Sequence, residues 1–103
     1  MLLYYFFGGY ELDMDITDVR IKLVENEGKL KGFANITIDG AFAVHDIKIL
    51  SGESDLFIAM PSVKKKDGTF RDIAHPINQE TRSYIQDIVL KSYNEELAKP
   101  KEA

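Results

Sequence analysis

The chain has 103 residues, a formal charge of -4 and no cysteine. That length holds one ordinary domain and not two, and the missing thiols exclude disulfides, thiolate metal sites and cysteine nucleophiles together. An acidic average supplies no general attraction to nucleic acid or anionic lipid, so any such contact has to come from a local basic cluster.

Five tyrosines, six phenylalanines and an apolar share of 45% can fill one core. A domain this small buries a modest share of its surface, so a partner subunit is expected to bury more. The lack of cysteine also suits a reducing compartment, and a cytoplasmic location is expected. Residues 1–13, MLLYYFFGGYELD, hold an apolar run from Leu2 to Phe7 with no Lys or Arg before it and no A-x-A-like cleavage site after it. The run is too short to span a membrane. This segment reads as a leader, a tag remnant or an extra strand, and stands apart from the single domain expected over 14–98.

From Asp15, Thr17, Val19, Ile21 and Leu23 alternate with Asp18, Arg20 and Lys22, which predicts a strand with one buried face. A turn at Asn26, Glu27 and Gly28 leads to a second alternating run. Leu30, Ala34, Ile36 and Ile38 fall on one side of it, and Lys31, Asn35, Thr37 and Asp39 on the other. Asp39-Gly40 is a hairpin signal, because both central positions of a type I′ turn need positive φ. The next run, Phe42 to Leu50, is apolar on both faces and is predicted to lie centrally in the sheet or at a subunit contact. Strict alternation puts His45 with Ala43, Ile47 and Ile49, as a buried histidine, and turns Asp46 and Lys48 the other way. LFIAMPSVKK is a fourth strand, placed at an edge or bulge by Pro61, which cannot donate to a ladder. Asp67-Gly68 repeats the hairpin signal and lifts Lys64, Lys65 and Lys66 onto the tip of a β-ribbon that returns through Thr69 to Ala74.

Pro76 ends the extended part, Asn78 is a good N-cap, and Gln79 to Ala98 reads as a helix with Ile85, Ile88, Val89, Tyr93 and Leu97 on one stripe. Asp87 and Lys91 form an i,i+4 pair on its wet side. Pro100 lies past its end, and the tail from Lys99 is expected to fray. The expected fold class is α+β: an antiparallel sheet of about five strands with a C-terminal helix, assembled as a dimer.

The stretch from Pro61 to Arg82 carries five basic residues (Lys64, Lys65, Lys66, Arg71, Arg82) against Asp67, Asp72 and Glu80. It is therefore +2 where the remainder is -6, and a β-ribbon is one of the elements that can enter a major groove. The bland reading is a solvated turn whose lysines keep an edge from aggregating. Arg71 is the best single phosphate or guanine contact if it faces outward, and a structural ion-pair residue with Asp72 if it does not. Phe57, Phe70 and Tyr84 are a possible base-stacking set, although strand aromatics more often belong to a core. His45 and His75, each near an aspartate, lack the further ligands zinc needs, and neither Ser62 nor Ser83 sits in a nucleophile elbow. No enzyme activity, cofactor or small-molecule substrate is expected.

MDITDVRIKLV, ITIDGAFAVHDIKIL, LFIAMPS, DGTFRDIAHPIN and ETR with IQDIVL, in this order and spacing, resemble the SpoVG family, the stage V sporulation protein G or septation proteins of bacteria. The resemblance runs from Met14 to about Tyr93. It implies a small dimer of antiparallel sheet and C-terminal helix, linked in spore-formers to septation, with members acting as DNA- and RNA-binding regulators and no cofactor. In such proteins the basic residues after MPS are those associated with nucleic acid, which match Val63 and Lys64 here, followed by Lys65 and Lys66. Where two adjacent basic residues, often including arginine, are usual, this chain has Val63 and then lysines, keeping charge but losing the bidentate fork. Nucleic-acid contact is thus expected at Lys64, Lys65, Lys66 and Arg71, with Arg82 as a further candidate. The competing expectation is a protein-interaction module of the division or sporulation machinery, using the strand edge near Phe57 to Met60 or a helix face.

Overall fold

A computed structural model describes residues 14–25 and 28–100 and the backbone course of 5–7 and 10–12; Asn26 and Glu27 of the predicted turn lie outside the described residues, as do 101–103. Two short strands, β1 (Tyr5–Phe7) and β2 (Tyr10–Leu12), pair antiparallel. A four-stranded antiparallel sheet follows in simple meander order: β3 (Ile16–Leu23), β4 (Leu30–Ile38), β5 (Phe42–Ser51) and β6 (Leu56–Ala59). The chain then forms a separate two-stranded ribbon, β7 (Ser62–Lys64) with β8 (Phe70–Asp72), and ends in helix α1 (Gln79–Ala98). The predicted α+β class holds, but the sheet has four strands and the predicted fourth strand is cut in two at Met60-Pro61. Pro61 has no N–H to continue the β5 ladder, so the chain leaves the sheet there.

Period-two patterning builds the hairpins, and β-bulges reset it at three places. Ile16 pairs with Ile38 but Asp18 with Thr37, so Thr17 is an extra residue. Ile16 is buried and Thr17, predicted on the apolar face, is exposed, its Oγ1 accepting from Gly40 N–H at 3.0 Å. A second extra residue falls at Lys31, between the pairs Leu30 with Leu50 and Gly32 with Ile49. It moves Leu30 off the face of Ala34 and Ile36 and onto that of Leu50. The third falls in β5, where Ile36 pairs with Val44 and Ala34 with Ile47, leaving Asn35 opposite both His45 and Asp46. Asp46 takes φ of 64° and donates its N–H to Asn35 Oδ1 at 3.0 Å. The bulge reverses parity, so Val44, Ile47 and Ile49 share the inner face, and His45, predicted buried with Ile47, is exposed. Asp tolerates this left-handed backbone better than a β-branched residue would.

The Asp39-Gly40 turn forms as predicted, with φ of 53° and 63° and Ala41 N–H donating to Ile38 O at 3.0 Å. It is also tied to the start of β3, since Asp39 Oδ1 accepts from Asp15 N–H at 2.9 Å. Asn78 caps α1 through Oδ1, accepting from Thr81 N–H at 2.8 Å, an arrangement worth about 1 kcal/mol. The helix lays Tyr84, Ile85, Ile88, Val89 and Tyr93 on Ala34, Ile36, Ile47, Ile49 and Ile58, and this is the core. Leu97, predicted to extend the stripe, is exposed because the last helical turn adds nothing to that cluster. Gly32 allows the close fit: a Cβ there would lie 2.9 Å from Lys22 O and 3.6 Å from the Tyr93 ring. Tyr84 joins the two ends of the fold, its Oη accepting from buried Ile16 N–H at 3.0 Å. No helix among the described residues is long and apolar enough to cross a membrane.

Candidate nucleic-acid interface

The ribbon is positioned by the break at Pro61 and closed by a hydrogen bond from Ile73 N–H to Pro61 O at 2.8 Å. Ser62 pairs with Asp72, Val63 with Arg71 and Lys64 with Phe70. Lys65 N–H extends the ladder to Thr69 O at 2.7 Å, leaving Lys66, Asp67 and Gly68 as the loop. The dipeptide Asp67-Gly68 predicts a type I′ pair, but only Gly68 has positive φ, at 89°. The loop is instead a three-residue turn with glycine in the left-handed position, a common hairpin alternative. Its geometry is held by Asp67 Oδ1, which accepts from Thr69 N–H at 2.9 Å and Thr69 Oγ1 at 2.6 Å.

Those bonds, the hydroxyl first and the amide second, hold the Asp67 carboxyl below the usual carboxylate range. A lowered native pKa stabilises the folded loop above the ordinary carboxylate pKa and loses that contribution as pH falls through the lowered value. Thr69→Val should therefore raise the Asp67 titration midpoint, read by NMR on the carboxyl carbon. An unchanged midpoint would mean that the hydroxyl bond does not set the loop.

Lys64, Lys65, Lys66 and Arg71 are all exposed, and none forms an ion pair among the described residues. Arg71 thus faces solvent and is not paired with Asp72. The four do not form one patch, however. Cross-strand partners share a face, so Arg71 lies with Val63 and Lys65 while Lys64 lies with Phe70 on the other side, and Lys66 sits at the tip. Arg82 is exposed on the first turns of α1 and is not part of the ribbon. The ribbon is wet on both faces yet carries large apolar groups: Phe70 is 67% exposed and Val63 50%, and Ile73 and Ile77 follow at 66% and 90%. The sequence signal for this lies in the apolar residues flanking the lysines.

The predicted stacking set does not assemble. Tyr84 is 2% exposed and belongs to the core, where burial first and the neighbouring Asp15 carboxylate second raise its phenol above the usual value. Phe57 and Phe70 lie on β6 and β8, which belong to different sheets. His45 is exposed on the β5 bulge, and His75 Nδ1 lies 2.9 Å from Pro76 O at the entry to α1. Among the described residues no three His, Asp or Glu side chains gather as a metal-binding group. The strand edge at Phe57 to Met60 is partly occupied, since Ile58 N–H donates to Gln86 Oε1 at 3.3 Å.

A helix-backed antiparallel meander carrying a separate cationic ribbon defines a small α+β domain. Residues 14–95 match the family model described as SpoVG. The chain is 58% identical over 84 residues to the "Putative septation protein SpoVG" of Agathobacter rectalis, covering 82% of this chain and 97% of that one. It is 55% identical over 80 residues to the protein of that name in Caldicellulosiruptor bescii, covering 78% and 91%. With "Putative septation protein SpoVG 1" of Listeria monocytogenes it shares 55% over 80 residues, 78% of each chain. The chain belongs to the SpoVG family.

Proposed function

We propose that this protein is a homodimeric DNA- or RNA-binding regulator acting on gene expression and septation or sporulation, with the β7–β8 ribbon as its nucleic-acid contact. The observation that supports this most is the display of Lys64, Lys65, Lys66 and Arg71 on a ribbon wet on both faces, their charges unspent on ion pairs among the described residues. Basic groups distributed over two faces and a tip suit a ribbon gripped between two phosphate walls better than one laid flat on a surface. Two copies would double a local charge that is small on an acidic chain, and avidity would compensate for weak single contacts. The exposed Phe70, Ile73 and Ile77 are the apolar surface that pairing could cover. Lysines without the arginine fork favour phosphate affinity over base readout.

In a gel-shift or filter assay, the variant K64A/K65A/K66A/R71A should bind duplex DNA or RNA at least about tenfold more weakly. Its plot of log K against log salt should also flatten, by roughly 0.9 for each duplex phosphate that is no longer neutralised. Unchanged retention by this variant, with wild-type thermal unfolding, would end the proposal. The second reading, a protein-interaction module, uses the strand edge near Phe57 to Met60, where Phe57 is exposed, or a helix face; its complexes would survive nuclease and moderate salt in a pull-down.

A further inference from the structure

The sheet face opposite α1 has a composition that neither the core nor the ribbon uses. Register places Lys22, Phe33, Lys48 and Ala59 in one row across all four strands, because each is the cross-strand partner of the next. Cross-strand partners share a face, and this one is opposite to that of Ala34, Ile47 and Ile49. Phe33 is only half-buried and is not among the residues packed on the core. Lys22 and Lys48 flank its ring at about 5 Å between Cα atoms. Both are exposed, and neither forms an ion pair among the described residues. Phe33 also borders a hollow of about 280 Å³ lined by Arg20, Lys22, Asn35 and Asp46. In the adjoining row Leu30, Leu50 and Phe57 are partners, Phe57 being 41% exposed beside a second hollow that Lys29 borders. Strand spacing and rise put Phe33 and Phe57 roughly 12 Å apart.

We propose that this helix-free face is a second nucleic-acid site, a stacking platform for single-stranded DNA or RNA, in which Phe33 receives a base and Lys22 and Lys48 hold the backbone phosphates on either side. The inference deepens the nucleic-acid reading above and rests on it. Three physical features select the occupant. An open sheet face offers ring surface without the depth of a small-molecule pocket, and single-stranded bases, unlike those of a duplex, can lie flat on it. A cation on each side of one aromatic group matches a polymer that alternates ring and anion. The chain as a whole is acidic, at -4, so two exposed lysines with no ion pair among the described residues, beside a partly buried phenylalanine, are a local departure from its charge balance. Asp46 on the rim and Asp18, which holds Arg20 at 3.0 Å, restrict the cationic strip to the Lys22–Phe33–Lys48 row. Phe57 provides the position for a second, non-adjacent base.

The test is fluorescence anisotropy with a fluorescein-labelled oligothymidylate and a mixed-sequence duplex of equal length, on the full chain. Phe33→Leu removes the ring while keeping an apolar group on the strand, and should weaken oligothymidylate binding by about fivefold or more with duplex affinity unchanged. Phe33→Trp, which keeps a stacking ring, should bind the single strand at least as well as wild type. K22Q/K48Q should weaken single-strand binding and lower its salt slope by about 1.4. If only the ribbon variant loses the single strand, the platform is overturned and the ribbon reading stands. If only the Phe33 and lysine variants lose it, the platform stands, and the ribbon reading stands with it where the ribbon variant loses the duplex and falls where that variant keeps the duplex as well. Equal loss of duplex and single strand in F33L with a lowered unfolding midpoint, or a change in its sedimentation coefficient, would make Phe33 a stability or subunit-contact residue and overturn the platform. So would wild-type protein that binds no oligothymidylate.

Discussion

Ile47→Ala should lower the free energy of unfolding by about 2–5 kcal/mol and the thermal midpoint by roughly ten degrees or more. Ile47 has no exposed surface and lies beside its cross-strand partner Ala34 in the core that the helix residues complete, in the first position after the β5 bulge. Close packing leaves a cavity that the rigid sheet and the capped helix can only partly close. The informative comparison is His45→Ala. Simple alternation would bury His45 beside Ile47, whereas the left-handed Asp46 turns it to solvent. His45→Ala is accordingly expected to shift stability by no more than about 0.5 kcal/mol. Urea titration of both variants decides it, and comparable losses would mean that β5 runs without the bulge.

The second large effect is expected at Tyr84→Phe, a loss of about 1–3 kcal/mol. The phenol oxygen accepts from Ile16 N–H at 3.0 Å and its proton points to Asp15 Oδ1 at 3.4 Å. Without it, a buried backbone donor at the start of β3 is left with no acceptor. A hollow of about 280 Å³ bounded by Asp15, Thr17, Lys91 and Glu95 adjoins the site, and water entering from it would bring the loss toward the lower figure. The variant has a pH signature as well. Burial, with the Asp15 carboxylate adding to it, raises the Tyr84 pKa above its unfolded value. The neutral phenol then stabilises the fold below the unfolded tyrosine pKa of about 10, and that contribution declines as pH rises through the higher native value. The gap between wild type and Y84F, followed by chemical denaturation, should narrow above pH of about 10. A gap that is constant across that range would show that the phenol does not titrate differently in the folded protein.

Most of the element order is legible in alternation, turn pairs and the N-cap, since these are local properties of neighbouring residues. What is not legible is the phase between them. Bulges at Thr17, Lys31 and Asp46 each add one residue, and one residue is enough to exchange the faces of a strand. The polar pair His45-Asp46, between apolar neighbours, is the visible trace of the third. At the site, the ribbon and its lysines are legible because Asp67, Gly68 and three consecutive lysines are contiguous. The grouping of its charges is not, because which lysine shares a face with Arg71 depends on the pairing of Val63 with Arg71. Phe33 is hidden for a similar reason: only register reveals that a polar-face aromatic has a lysine on each side. Tyr84 can pass for a surface ring in the sequence, while its place in the core follows from a contact 68 residues distant.

That contact also bears on how the chain is made. The meander joins strands that are neighbours in sequence, so β3 to β6 can pair as they leave the ribosome. Their inner face nevertheless remains open until α1 arrives, because Ala34, Ile36, Ile47 and Ile49 are covered by residues 84–93 of the helix. Most of the protein is thus synthesised before its apolar surface can be sealed. During that interval the charged outer face of β3 and the break at Pro61 guard the nascent sheet against its neighbours.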